Sequence, residues 1–373
     1  MSRRYKERYN SPEEGGTVKK KKKKSIGKRI FLTILIIIAI IAGVIFGMGY
    51  QKFSLLDFVK IDKNNIGIDL RVKVDLSKYR NVLLLGTDSQ TNDYDDGRSD
   101  VIMIASINKE TKEVNLISVY RDTYVDVEEN GNTVLDKVNH AYAYGGAANT
   151  IKSLNKAMDL NISEFAAVDF KAVADTVDAV GGIELDITDE ELKYINTYIT
   201  DVAKTMNRTG KKITSSGLQT VDGIQATAYC RIRYTSGYDY KRAERQRTVI
   251  QKILAKAKTL SVFELNTLAN KLLPEISTNI SSTEILGLAT DITKYNIKKQ
   301  YGWPYKTKGY KSPTFYGVPC SLETNVQRLH EELFGQKNYE VSQTVKDMSQ
   351  KIINETGYTA DEEDADKYED WNV

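Results

Sequence analysis

The amino-acid sequence predicts an α/β domain built on a mixed central sheet, behind an N-terminal transmembrane helix. Three observations predict it. Residues 30–49 are twenty uncharged, mostly apolar residues, and at about 1.5 Å each they span about 30 Å, the thickness of bilayer hydrocarbon. Three apolar runs rich in β-branched residues, 82–85, 101–107 and 114–119, are too short for helices and match strands covered on both faces. A strand, helix, strand order over residues 165–187 then requires a mixed sheet with helices packed on its faces.

In chain order, residues 1–29 carry 12 Lys and Arg against 3 Glu, with six consecutive lysines at 19–24. Lys and Arg stay on the cytoplasmic side, so 1–29 is expected in the cytoplasm, 30–49 as a single-pass anchor in the cell membrane, and the remainder outside. A cleaved signal peptide fits less well: its apolar core is usually about 7–15 residues, and no small-x-small site follows the run. The lysine run also suits anionic lipid, at about 1 kcal/mol per charge near the surface, although setting the topology is use enough. Residues 50–79 read as an extracellular stalk with a short helix at 55–60.

The polar turn 108–113 makes the second and third runs a hairpin. The link 86–100 is polar, without helical period, so the first two runs pair antiparallel as well. Asp88, Asp100 and Arg121 therefore arrive at one rim of one sheet. Two carboxylates and a guanidinium gathered there suit a hard cation plus a phosphate, with solvated loop residues as the alternative. Beyond them, Asn130 and Gly131 mark a turn, and Gly145 and Gly146 the entry to a helix at 147–158. A strand at 165–170 is followed by a helix at 171–180, which Gly181 and Gly182 end, and by a strand at 183–187. Residues 190–212 are polar and read as a mobile flap with two helical turns.

Arginine is scarce, 15 residues against 38 lysines, yet five of the 15 lie between Arg231 and Arg247. Its planar fork is favoured where phosphate oxygens are gripped in pairs. Residues 231–234 read as extended, so Arg231 and Arg233 are expected to point the same way. A helix from about 240 places Arg242, Arg245 and Gln246 above Val249 and Ile253 on one face, and leaves Arg247 off it. Ordinary surface charge, partly offset by Glu244, is the competing reading. Helices at 261–273, 283–296 and 323–334 and a strand at 297–305 complete a domain spanning 80–337. Residues 338–373 are expected to form a surface helix at 339–355 and a disordered tail, since 361–373 holds seven acids against one lysine.

Several classes are disfavoured. Net charge is +3, but both excesses sit in the tails, so the folded part has no basic field and no nucleic-acid partner is expected. Two cysteines, Cys230 and Cys320, imply no disulfide framework. Two histidines in unrelated settings argue against zinc and against a His-based triad.

The segments GTDSQ, GRSDVIMIASIN, LISVYRDTYV, VNHAYAYGG, VDFKAVADTVDAVGGIEL and CRIRYTSGYDYKRAERQRTVI occur in that order over residues 80–258. In this they resemble the LytR-CpsA-Psr family of cell-envelope proteins. The resemblance implies an α/β/α sandwich with a deep apolar pocket for a polyprenyl chain, in a Gram-positive-type envelope. It implies transfer of a phosphorylated glycopolymer from undecaprenyl pyrophosphate to peptidoglycan, at the C6 hydroxyl of N-acetylmuramic acid. Carried over by motif, Asp88 and Asp100 would hold Mg²⁺, with Mn²⁺ as the substitute ion. Arg98, Arg121, Arg231, Arg233, Arg242, Arg245 and Gln246 would surround the pyrophosphate, with Arg121 and Arg242 the most directly catalytic. Cys230 stands where an aliphatic residue is usual and Tyr120 where Pro is frequent; neither removes a charge.

Attack by a sugar hydroxyl benefits from a base. The candidate is Asp239, between the two arginine groups; a turn residue beside Gly237 is the alternative reading. Two other functions share these residues: a polyprenyl pyrophosphate hydrolase, and a non-catalytic envelope-binding or regulatory protein. Twenty-nine cytoplasmic residues leave no room for a helix-turn-helix.

Overall fold

The computed structural model describes residues 56–87 and 99–361, apart from 237, 258, 262–263, 265–267, 269–271, 291–293 and 312–313. The expected cytoplasmic tail and membrane span, Asp88, Arg98 and residues 362–373 lie outside the described residues.

The apolar runs form the centre of a seven-stranded sheet. They are β2 (Tyr79–Thr87), β3 (Ser99–Asn108) and β4 (Glu113–Val119), paired antiparallel. On one side β2 pairs parallel with β7 (Glu164–Asp169), then come β10 (Ile276–Thr278) and β1 (Asp57–Phe58); on the other, β4 pairs parallel with β11 (Asn296–Trp303). The sheet is thus mixed, as expected, but for a different reason. The strand at 183–187 is not in it: β8 (Ile183–Ile187) pairs with β9 (Gly217–Val221) in a separate ribbon. A helix that packs on a sheet face can be followed by a strand lying outside that sheet, and local order does not tell the two apart.

Side chains alternate across the sheet. Leu83, Leu85, Ile102, Ile104, Ile117 and Val119 face one apolar layer. It is made by α1 (Leu70–Asp75), α2 (His140–Met158), the ribbon β5 (Tyr124–Glu129) and β6 (Asn132–Lys137), α8 (Leu322–Phe334) and α9 (Gln343–Thr356). The opposite layer holds α3 (Phe170–Ala179), α4 (Asp189–Thr205), α5 (Gly223–Arg231) and α6 (Tyr238–Ala257). The β5–β6 turn has Asn130 and Gly131 at φ of 49° and 81°, the double left-handed step that suits a two-residue hairpin. Within α2 the backbone leaves helical geometry at Gly145 (φ −178°, ψ 33°) and Gly146 (φ 60°, ψ −154°), so the stretch from Ala147 to Met158 starts at the glycine pair as expected, and a short helical segment from His140 precedes it. The remaining elements are α7 (Ser282–Thr290) and the hairpin β12 (Thr307–Lys311) and β13 (Phe315–Pro319).

Three expectations are corrected. Residues 190–212 are no flap: Thr188 and Glu191 form a reciprocal capping box, and α4 buries Ile195, Ile199 and Val202. Their four- and three-residue spacing outweighs the polar composition. Helix α9 is the expected surface helix, but its inner face, Val345, Met348 and Ile352, enters the core, at about 1.5–3 kcal/mol for each side chain so buried. The folded domain therefore continues past residue 337. It also begins before residue 80: from 56 onward the expected stalk supplies edge strand β1 and puts Ile66, Val72 and Leu76 into the core.

Candidate active site

Antiparallel pairing of β3 with β4 sets Ile102 opposite Val119, so the residues just beyond, Asp100 and Arg121, meet at the rim. Arg121 Nη1 donates to Asp100 Oδ1 at 2.7 Å. Its Nε lies 3.3 Å from Asp122 Oδ2, and Asp122 Oδ1 lies 3.1 Å from Lys137 Nζ. From the opposite layer, Arg233 Nη2 and Arg242 Nη1 reach to 3.5 Å and 3.9 Å of Asp100 Oδ2. Burial pushes the Asp100 carboxyl up, but the guanidiniums of Arg121, Arg242 and Arg233 outweigh it and hold the group below its usual range. Among the described residues, the two carboxylates of Asp100 and Asp122 stand against three guanidiniums and Lys137, an excess of positive charge that suits an anion with more than one negative charge.

The arginine cluster divides by role. Arg231 ends α5 and the next residue, Ile232, is already extended at φ −59° and ψ 128°. Arg231 lies 5.8 Å from the Phe170 ring centre, whereas Arg233 turns to Asp100. Arg245 is buried, and its guanidinium is engaged with Glu191 at 3.3 Å, Thr235 Oγ1 at 3.0 Å and the Ile232 carbonyl. These bonds clamp the α5–α6 loop onto α4, so Arg245 holds Arg233 in place from behind. Gln246 donates to the Cys230 carbonyl at 3.4 Å. Asp239 stands in the first turn of α6, its side chain outside the described set.

Behind the rim, a cavity of about 170 Å³ opens between the sheet and helices α3, α5 and α6. The sheet residues alternate to those in the first core layer: Leu84, Met103 and Val168 line it, facing Phe170, Val249 and Ile253. A Cβ at Gly86 would meet Val101 Cβ at 2.9 Å, so the strand crossing at the cavity wall depends on glycine. Cys230 also lines the cavity, its thiol pushed up to about 12 by burial; it is a neutral apolar group at physiological pH. The polar residues of the lining are Thr87, Asp169, Thr176 and Gln246. Asp169 caps α3 by accepting from the Ala172 N–H at 2.6 Å, and burial raises its carboxyl pKa.

Sequence reasoning missed Glu191, Thr235, Thr87 and Asp169. Only Glu191 carried a local signal, the T-x-x-E spacing from Thr188. Among the described residues, no group of three or more His, Cys, Asp or Glu could hold a metal by itself.

Known proteins share this architecture. A family model, that of the LytR_cpsA_psr (LytR-CpsA-Psr) family, matches residues 57–316. The chain is 33% identical over 282 residues to the polyisoprenyl-teichoic acid–peptidoglycan teichoic acid transferase TagU of Enterococcus faecalis, covering 74% of this chain and 83% of that one. It is 30% identical over 250 residues to TagU of Bacillus subtilis, covering 65% and 74%. Among solved structures, protein gbs0355 of Streptococcus agalactiae superposes with a TM-score of 0.55 at 25% identity, over 73% of this chain and 93% of that one. Bacillus subtilis TagT gives 0.50 at 26% identity, over 69% and 92%. With the family match spanning most of the folded domain, this chain belongs to the LytR-CpsA-Psr family.

Proposed function

We propose that the chain is a phosphotransferase that moves a phosphorylated glycopolymer from a polyprenyl pyrophosphate carrier onto peptidoglycan, on the outer side of a cell membrane. The observation that carries this reading is a neighbourhood of two features: an apolar cavity lined by Leu84, Met103, Phe170 and Val249 that reaches Val101, and, one residue before Val101, Asp100 with Arg121, Arg233 and Arg242 around it. A molecule that is greasy at one end and doubly phosphorylated next to it matches both halves. The relatives named as teichoic acid transferases support the same reaction class, and the undecaprenyl carrier is the natural long-chain donor for it.

The residues have separable tasks. The cavity takes isoprene units out of water, at about 25 cal/mol per Å² of apolar surface buried. Arg121, Arg233 and Arg242 grip the pyrophosphate and neutralise the charge that builds as the phosphates separate, the dominant kind of assistance in phosphoryl transfer. The acceptor hydroxyl oxygen bonds to the sugar-bearing phosphorus, the bridging P–O bond breaks, and polyprenyl phosphate departs. The hydroxyl proton goes to a base, for which Asp239 at the start of α6 is the candidate. Asp100 Oδ2 is too far from Arg233 and Arg242 for strong hydrogen bonds, so it retains capacity for a hard cation. Asp100 and Asp88 would hold Mg²⁺, which when bound supplies further charge neutralisation at the phosphate oxygens.

Product analysis tests the proposal. Full-length protein, a synthetic polyprenyl pyrophosphate-linked sugar, Mg²⁺ and a peptidoglycan acceptor should yield a phosphodiester-linked sugar. Release of free sugar phosphate at the same rate with and without acceptor would mean water is the true acceptor, and the enzyme a hydrolase.

A further inference from the structure

Thr87 ends β2, is wholly buried, and its hydroxyl has no hydrogen-bond partner among the described residues. It lines the apolar cavity, at the end where β2 reaches the arginine rim. Across the sheet its partners are Ser99 on β3 and Asp169 on β7. Neither satisfies it. The Ser99 hydroxyl is equally buried and unpartnered, and Asp169 is occupied in capping α3. A desolvated hydroxyl left unpaired costs stability, and each such group in a native protein asks for an explanation. Val would fill the same shape at this strand position and suit the surrounding Leu84, Leu85 and Val101 better, so the hydroxyl is retained for something other than packing.

The position says what that is. A lipid pyrophosphate with its chain in the cavity and its phosphates at Arg121, Arg233 and Arg242 places one group at the junction: the phosphate esterified to the lipid. We propose that Thr87 Oγ donates to an oxygen of this phosphate, as a neutral contact to the leaving group; the assignment rests on the transferase reading above. When the bridging P–O bond breaks, its electron pair stays on the lipid's phosphate while the acceptor's proton passes to the base. Negative charge therefore grows at the end of β2 where Thr87 stands, and a donor held there stabilises the departing monophosphate. The interaction separates Thr87 from the arginines, which serve both phosphates.

The test uses the full chain in detergent micelles with three short probes: farnesyl phosphate, farnesyl pyrophosphate and uncharged farnesol. Thr87→Val and Thr87→Ser are compared with wild type by calorimetric titration and thermal melting. Thr87→Val should bind farnesyl phosphate about tenfold or more weaker, bind farnesol unchanged, and melt no lower than wild type, because an unpaired buried hydroxyl has been removed. Thr87→Ser should bind all three probes within about twofold of wild type. Wild-type affinity for farnesyl phosphate in Thr87→Val, with a lowered melting temperature, would mean that an internal water satisfies the hydroxyl, and would overturn the assignment alone. If wild-type protein binds farnesol but neither phosphate, the transferase reading and this assignment fail together.

Discussion

Arg121 Nη1 lies 2.7 Å from Asp100 Oδ1, on the strand that the antiparallel register places alongside it. Both side chains are largely covered, yet the carboxylate shares its charge with Arg233 and Arg242 from the far layer. One acid therefore ties the sheet to the helix pair.

Removing that acid leaves three guanidiniums close together. Asp100→Asn is expected to lower transfer by about two to three orders of magnitude, in the range seen when one preorganised charge contact to a transition state is lost. It should also lower the melting temperature in the absence of ligand. Initial rates with a lipid-linked donor, together with differential scanning calorimetry, check both.

The same pair sets a pH dependence. The folded Asp100 carboxyl is held below the free value of about 3.9, so folding favours its ionised form. That contribution is fully present above the free value and is lost as pH falls through the folded one. The difference in melting temperature between wild type and Asp100→Asn should be flat from about pH 5 to 8 and shrink below about pH 4. A gap that widens on acidification would give the opposite sign and refute the shift.

Arg121→Lys retains charge but loses the fork. Transfer should fall by at least about tenfold while the protein stays folded, since a point charge cannot hold Asp100 and a phosphate oxygen in one plane. Steady-state kinetics resolve it, with circular dichroism as the folding control.

Filling the cavity should act on the lipid alone. Ala166 lines it from β7, and Ala166→Phe is expected to weaken binding of a polyprenyl pyrophosphate about tenfold or more, while inorganic pyrophosphate binding stays the same. Overpacking costs about 1–3 kcal/mol in a filled core, and less where space exists. Titration with both ligands separates lipid exclusion from general damage.

The C-terminal helix contributes to stability. Ile352 is about 1% exposed in the same core as Leu83 and Ile104, so Ile352→Ala should cost about 2–5 kcal/mol in urea denaturation. A change under about 0.5 kcal/mol, typical of surface positions, would contradict that burial.

Much of this was legible in the residues, for physical reasons that differ by element. Val82 to Leu85 and Val101 to Ile107 announced themselves because a strand buried on both faces must be apolar throughout. Arg121 and Asp100 could be brought together from a turn length and a register alone. Helix α4 was hidden by composition, since Lys193, Asn196 and Asp201 dilute a stripe that Ile195 and Ile199 still define. Nothing in the sequence marked Arg245 as a clamp: a helical face tells which side turns inward, not that Glu191 and Thr235 will be waiting there.

A ligand-bound structure tests the central claim most directly. Crystals of the protein with a polyprenyl pyrophosphate should show the chain between Leu84, Met103 and Val249, with the two phosphates within hydrogen-bonding distance of Arg121, Arg233 and Arg242. A lipid seated elsewhere, or phosphates that leave Arg121 and Arg233 in contact with Asp100 alone, would contradict the account.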